Sequence, residues 1–65
     1  MSALAAPVEP WLDKKGLAEH FACSERWIEY RVDEGMPAWK IAGRIKFRAS
    51  ECEAWLIEHG FIERA

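Results

Sequence analysis

The apolar positions of the chain change their spacing twice, and each change marks an element. Over residues 14–21, Leu17, Ala18 and Phe21 recur on one face of a short helix. Asp13 precedes it with a short carboxylate suited to accept a first-turn N–H. Ala22 and Cys23 interrupt the pattern, and Ser24 can cap a second helix over 24–34. There Ile28 and Val32 sit four apart on one side, while Glu25, Arg26, Glu29, Tyr30 and Asp33 point elsewhere. Gly35 suits a left-handed helix end, and Pro37 prevents continuation. Two helices joined by so short a turn must cross closely.

After Pro37 the period becomes two. Trp39, Ile41, Ile45 and Phe47 alternate with Lys40, Ala42, Arg44, Lys46 and Arg48. Around Ala42-Gly43 this predicts a β-hairpin with one apolar and one basic face. Ser50 with Glu53 has the spacing of a capping box. A third helix is predicted over 51–59, with Cys52, Trp55 and Leu56 facing inward and Gly60 ending it. The expected fold is mainly α with a small β-hairpin, in the order helix-helix-hairpin-helix. A flexible leader over 1–10 precedes one domain over 11–65.

Sixty-five residues and 7.5 kDa exclude a two-lobed pocketed enzyme and a solenoid. Four Trp, three Phe and one Tyr supply large buried area per residue, which suits a core this small; Trp11, Trp39 and Trp55 read most simply as core. No apolar run approaches the roughly 18 residues of a membrane span, and residues 1–10 lack the pattern of a signal peptide. The expected compartment is a reducing cytoplasm. Cys23 and Cys52 are therefore not expected to form a disulfide, and Cys23 reads as a small core thiol. His20, Cys23, Cys52 and His59 lack paired zinc-ligand spacing. No phosphate-cradling glycine loop and no nucleophile–base pairing stands out, so neither catalysis nor a cofactor is expected.

Charge sharpens the picture through its distribution. The net charge is −2, but residues 26–48 hold six basic against three acidic side chains, while residues 1–25 and 49–65 are each net acidic. Such polarity steers a polyanion better than the sum suggests. Two short helices followed by a basic hairpin suit duplex DNA. The second helix fits a major groove about 12 Å wide, and the hairpin lies along the adjoining backbone.

The run Leu17-Ala18-Glu19-His20-Phe21-Ala22-Cys23-Ser24-Glu25-Arg26-Trp27-Ile28 resembles the helix-turn-helix of excisionase-like, MerR-related winged-helix domains. The stretches Glu34-Gly35-Met36-Pro37-Ala38, Gly43-Arg44-Ile45-Lys46-Phe47-Arg48 and Ser50-Glu51-Cys52-Glu53-Ala54-Trp55-Leu56 look like that family's wing and closing helix. The resemblance spans residues 11–56 in order. It implies sequence-specific double-stranded DNA binding by a small excisionase-like or prophage-type transcription regulator. The helix over 24–34 would then be the recognition helix and the hairpin the wing, with protomers able to cooperate along DNA. The chain departs from the pattern at Ala22, where the family often has Gly, at Trp27, and at Ala42, which replaces the first Gly of the wing turn. Ala22 fits only if its backbone avoids the left-handed region.

On the recognition helix the candidate contacts are Ser24, Glu25, Arg26, Trp27, Tyr30 and Arg31; on the wing they are Lys40, Gly43, Arg44, Lys46 and Arg48. Arg26 can fork onto guanine, and Glu25 and Glu29 can accept from cytosine N4 while weakening non-specific binding. Tyr30 and Arg31 either touch phosphate or base or cover the helix junction with their stems. Trp27 either packs on the wing or meets sugar and phosphate, packing being the simpler reading. Arg44, Lys46 and Arg48 either bind phosphate or protect an edge strand by charge. Lys14 and Lys15 can reach backbone phosphate or remain solvated, and Phe61-Ile62 can seat a partner or close the core. Two other functions fit the sequence. A phage terminase small subunit carries a similar DNA-recognition domain, although a chain of 65 residues favours the compact regulator. A protein-interaction module would dock a partner on the acidic last helix.

Overall fold

The computed structural model describes residues 9–65; most of the expected leader, residues 1–8, lies outside them. The elements follow the predicted order: α1 (Lys14–His20), α2 (Glu25–Glu34), β1 (Trp39–Ile41), β2 (Arg44–Lys46) and α3 (Ala49–Glu58). The chain is mainly helical with one two-stranded antiparallel hairpin, a layout compatible with a winged helix-turn-helix. No helix among the described residues is long and apolar enough to cross a membrane.

The helix starts follow side-chain chemistry. Asp13 accepts from the Gly16 amide at 2.7 Å and opens α1, while Ser24 accepts from the Trp27 amide at 3.1 Å and opens α2. All three helices end in the same Schellman arrangement. At the end of α2, the Gly35 amide donates to Val32 O and the Met36 amide to Arg31 O. At the end of α3, the Gly60 amide donates to Ile57 O and the Phe61 amide to Leu56 O; at the end of α1, the Ala22 amide donates to Glu19 O and the Cys23 amide to Ala18 O. The residue in the left-handed position is glycine twice, at φ +116° and +82°, but at the end of α1 it is Ala22 at φ +56°. The expectation that Ala22 avoids that region is therefore corrected. The pair of hydrogen bonds that closes α1 and sets the short turn imposes the conformation despite its Cβ.

The third helix starts differently from its prediction. It begins at Ala49, two residues earlier than expected, with Arg48 at the cap position and no side-chain cap bond. Ser50 lies inside the first turn and forms no capping box. Its amide and its hydroxyl both donate to the Glu9 carboxylate, each at 2.6 Å. A carboxylate 41 positions away in sequence thus satisfies the helix N-terminus, where orphan amides and the helix dipole both favour an anion. These hydrogen bonds hold the Glu9 carboxyl below its ordinary range.

The core consists of Leu17, Ala18, Ile28, Met36, Phe47, Cys52 and Leu56, drawn from all three helices and from the segments flanking the hairpin. Of the indoles expected in the core, Trp11 and Trp39 stand at the surface and Trp55 is half-buried. A body this small has no interior wide enough for several indoles, so they cover its margins. Phe47 is the pivot between core and hairpin. Just beyond β2 it exchanges two backbone hydrogen bonds with Leu12, at 2.7 and 2.9 Å. The segment before α1 thereby anchors the base of the hairpin.

Candidate nucleic-acid interface

The two elements predicted to meet DNA are both built to project side chains. Ser24 keeps its hydroxyl on the Trp27 amide and so acts through the start of α2. Glu25, Arg26 and Tyr30 follow on the exposed side of the helix, with Tyr30 half exposed. Trp27 and Arg31 turn inward from the other flank. Trp27 packs edge-on against Phe61 at 5.6 Å, not on the hairpin. The Arg31 guanidinium lies 4.7 Å from the Trp27 ring and 4.3 Å from the Phe61 ring. It also pairs with Glu34: Nη2 donates to Oε2 at 3.1 Å, while Nε lies 3.1 Å from Oε1 without pointing at it. Of the alternatives open for Arg31, the structure places it over the end of the fold, where Ile62 packs against the core and Phe61, itself exposed, lies over Trp27 and the Arg31 guanidinium.

The hairpin turns through Ala42 and Gly43, both at positive φ, +52° and +79°. These are the backbone angles of a two-residue hairpin turn that matches strand twist. The register pairs Trp39 with Lys46, Lys40 with Ile45 and Ile41 with Arg44. Directly paired residues share a face, so Trp39, Ile41, Arg44 and Lys46 lie on one side and Lys40 and Ile45 on the other. The predicted division into one apolar and one basic face is overturned. A two-residue turn pairs odd positions with even ones, so alternation that runs unbroken through it changes face at the turn. Ile45, with Phe47, lines a cleft of about 240 Å³ whose other wall is Lys14, Glu29, Val32 and Asp33. Lys40 is therefore on the cleft-facing side of the hairpin, separated from Arg44 and Lys46. Arg48 lies with its guanidinium 4.3 Å from the Trp11 ring and its Nε buried.

Internal pairing decides which charges are left to act outward. Lys14 joins α1 to α2 through Glu29, holding the Glu29 carboxyl below its ordinary range and its own ammonium above. Arg31 takes Glu34. Among the described residues, Arg26, Lys40, Arg44 and Lys46 have no carboxylate within ion-pair distance. Cys23 and Cys52 are free thiols, and burial pushes Cys52 up to about 11. The sequence reading gave Glu9 no role, assigned Trp11 to the core and left Phe61 between a partner and the core; all three act through contacts distant along the chain. The only local signal was the apolar pair Phe61-Ile62 following Gly60. No family model, no curated protein and no solved structure matches this chain.

Proposed function

We infer that the protein is a sequence-specific double-stranded DNA-binding factor of the excisionase-like, MerR-related winged-helix type, acting in transcription or recombination of prophage DNA. In this reading α2 enters the major groove, Arg26 and Tyr30 reach base edges or sugar, and Glu25 tests for a cytosine amino group. Arg44 and Lys46 of the hairpin hold adjoining phosphates. Arg31, Trp27 and Arg48 serve the reading indirectly, by fixing the helix and the hairpin base.

The observation that carries this reading is the set of unpaired cations on the two elements. Among the described residues Arg26, Arg44 and Lys46 have no carboxylate within ion-pair distance. Of the four carboxylates of α2, Glu29 and Glu34 are matched by Lys14 and Arg31, while Glu25 and Asp33 are not. A single module of this size buries about 600–1,000 Å² on DNA, so tight selective binding calls for paired sites or neighbouring protomers. Selection of bound duplexes from a random pool tests the proposal. Enrichment of a defined motif that Arg26→Ala relaxes at one base pair supports it, whereas a pool that stays random through successive rounds refutes it.

A further inference from the structure

The hairpin register assembles a surface that the sequence alternation keeps apart. Trp39, Ile41, Arg44 and Lys46 share the face directed away from the α2 cleft. Trp11 adjoins it, meeting Trp39 edge-to-face at 5.9 Å and 72°, and Arg48 covers the Trp11 ring. Two indoles and three cations are thus contiguous. Trp39 is 47% exposed and Trp11 37%, although the core closes without either. The Trp39 Nε1–H donates to Glu51 Oε1 at 2.7 Å, which fixes the indole at the surface. Two carboxylates border the patch and keep their charge, Glu51 accepting this indole's N–H and Glu9 accepting from Ser50; the cations Arg44, Lys46 and Arg48 outnumber them. Arg44 and Lys46, two apart on one strand, stand about 7 Å from each other along it.

A duplex hides its base faces within the stack, so the exposed Trp39 indole beside Arg44 and Lys46 suits a strand whose bases are free. We propose that this outward hairpin face binds single-stranded nucleic acid, with an unpaired base stacked on Trp39 and neighbouring phosphates on Arg44 and Lys46. The occupant follows from charge complementarity together with the aromatic plane. Phosphates alone would not need the indoles, and an apolar protein partner would not need the cations. The site shares Arg44 and Lys46 with the duplex reading above, whereas Trp39 and its preference for an unpaired base belong to this site alone.

The test compares a fluorescein-labelled oligothymidylate with a length-matched abasic strand, which keeps the phosphates and lacks the bases. Fluorescence anisotropy should show the full-length protein binding the oligothymidylate at least about tenfold more tightly, the scale of one stacked base. Trp39→Leu should erase that preference and Trp39→Phe should keep most of it, with thermal melts confirming that both variants fold. Arg44→Ala with Lys46→Ala should weaken both strands and lower the salt slope by about 0.7 for each phosphate released. Equal affinity of the wild type for the two strands overturns the proposal, without recourse to any variant. So does a preference that survives Trp39→Leu, or a concentration-dependent dimer that hides Trp39 and ignores the oligonucleotide. Failure of duplex selection leaves this preference untouched, so the two readings fail separately.

Discussion

Replacing Ala22 by glycine should stabilise the protein, against the usual direction of alanine-to-glycine changes. Ala22 sits at φ +56° in the turn between α1 and α2, the position that Gly35 and Gly60 occupy at the ends of the other two helices. An L-residue in the left-handed region is disfavoured by about 1–2 kcal/mol. Glycine removes that term but loses more backbone freedom on folding, about 0.5–1 kcal/mol. The net expectation for Ala22→Gly is a gain of about 0.5–1 kcal/mol, raising Tm by about 2–8 °C for a domain this small. Gly35→Ala is the mirror experiment. A Cβ there meets nothing within 4 Å, so its effect is conformational alone at φ +116°, and a loss of at least about 1 kcal/mol is expected. Thermal and urea unfolding followed by far-ultraviolet circular dichroism measure both. A loss of stability in Ala22→Gly comparable to that of a helix-interior glycine would refute the shared left-handed closure of the three helices.

Other contacts yield further expectations. Glu9→Gln should lower Tm at neutral pH and blunt the acid sensitivity of the protein. Because the native carboxyl titrates below the unfolded one, the unfolded chain binds the proton first; the stabilisation is complete above about pH 4.3 and is lost as pH falls through the lowered native value. Glu29 contributes in the same direction through Lys14, so acid melts of Glu9→Gln should retain a residual slope that Lys14→Met reduces. Arg31→Met should cost about 1–2 kcal/mol of stability through the lost ring contacts while changing duplex affinity less than about threefold. A large affinity loss with unchanged stability would return Arg31 to the DNA surface. Cys52, enclosed beside the Pro37 carbonyl with its thiol pushed up to about 11, should resist alkylation at neutral pH until the protein unfolds, as timed mass spectrometry would show.

Much of the fold was legible because it is punctuated locally. Asp13 and Ser24 sit where a helix must begin, Gly35 and Gly60 where one must end, and Ala42-Gly43 marks the hairpin turn. What sequence reading lost depends on distance or on parity. The capping box at Ser50 has the right spacing, yet Glu9 arrives from across the fold and accepts from the Ser50 amide that such a box would give to Glu53. The hairpin faces were misassigned because alternation was carried straight through a two-residue turn, although the register reverses it. The indoles were assigned to the core by hydrophobicity, whereas a seven-residue core leaves them to the margins. For the candidate site, Arg26, Tyr30 and Arg44 are exposed and Lys46, half-buried, shares the hairpin face of Arg44. Arg31 is enclosed by Trp27 and Phe61, and no pattern within α2 announces that Phe61 folds back over it.

The most direct measurement of the DNA-binding account is the salt dependence of affinity for the selected duplex, wild type against the Arg44→Ala, Lys46→Ala double variant. The account expects log affinity to fall linearly with log salt, and the slope to shrink by about 1.8 in the variant, about 0.9 for each phosphate contact removed. Parallel lines for the two proteins, with melting curves unchanged, would contradict it by showing that the hairpin cations do not touch the backbone.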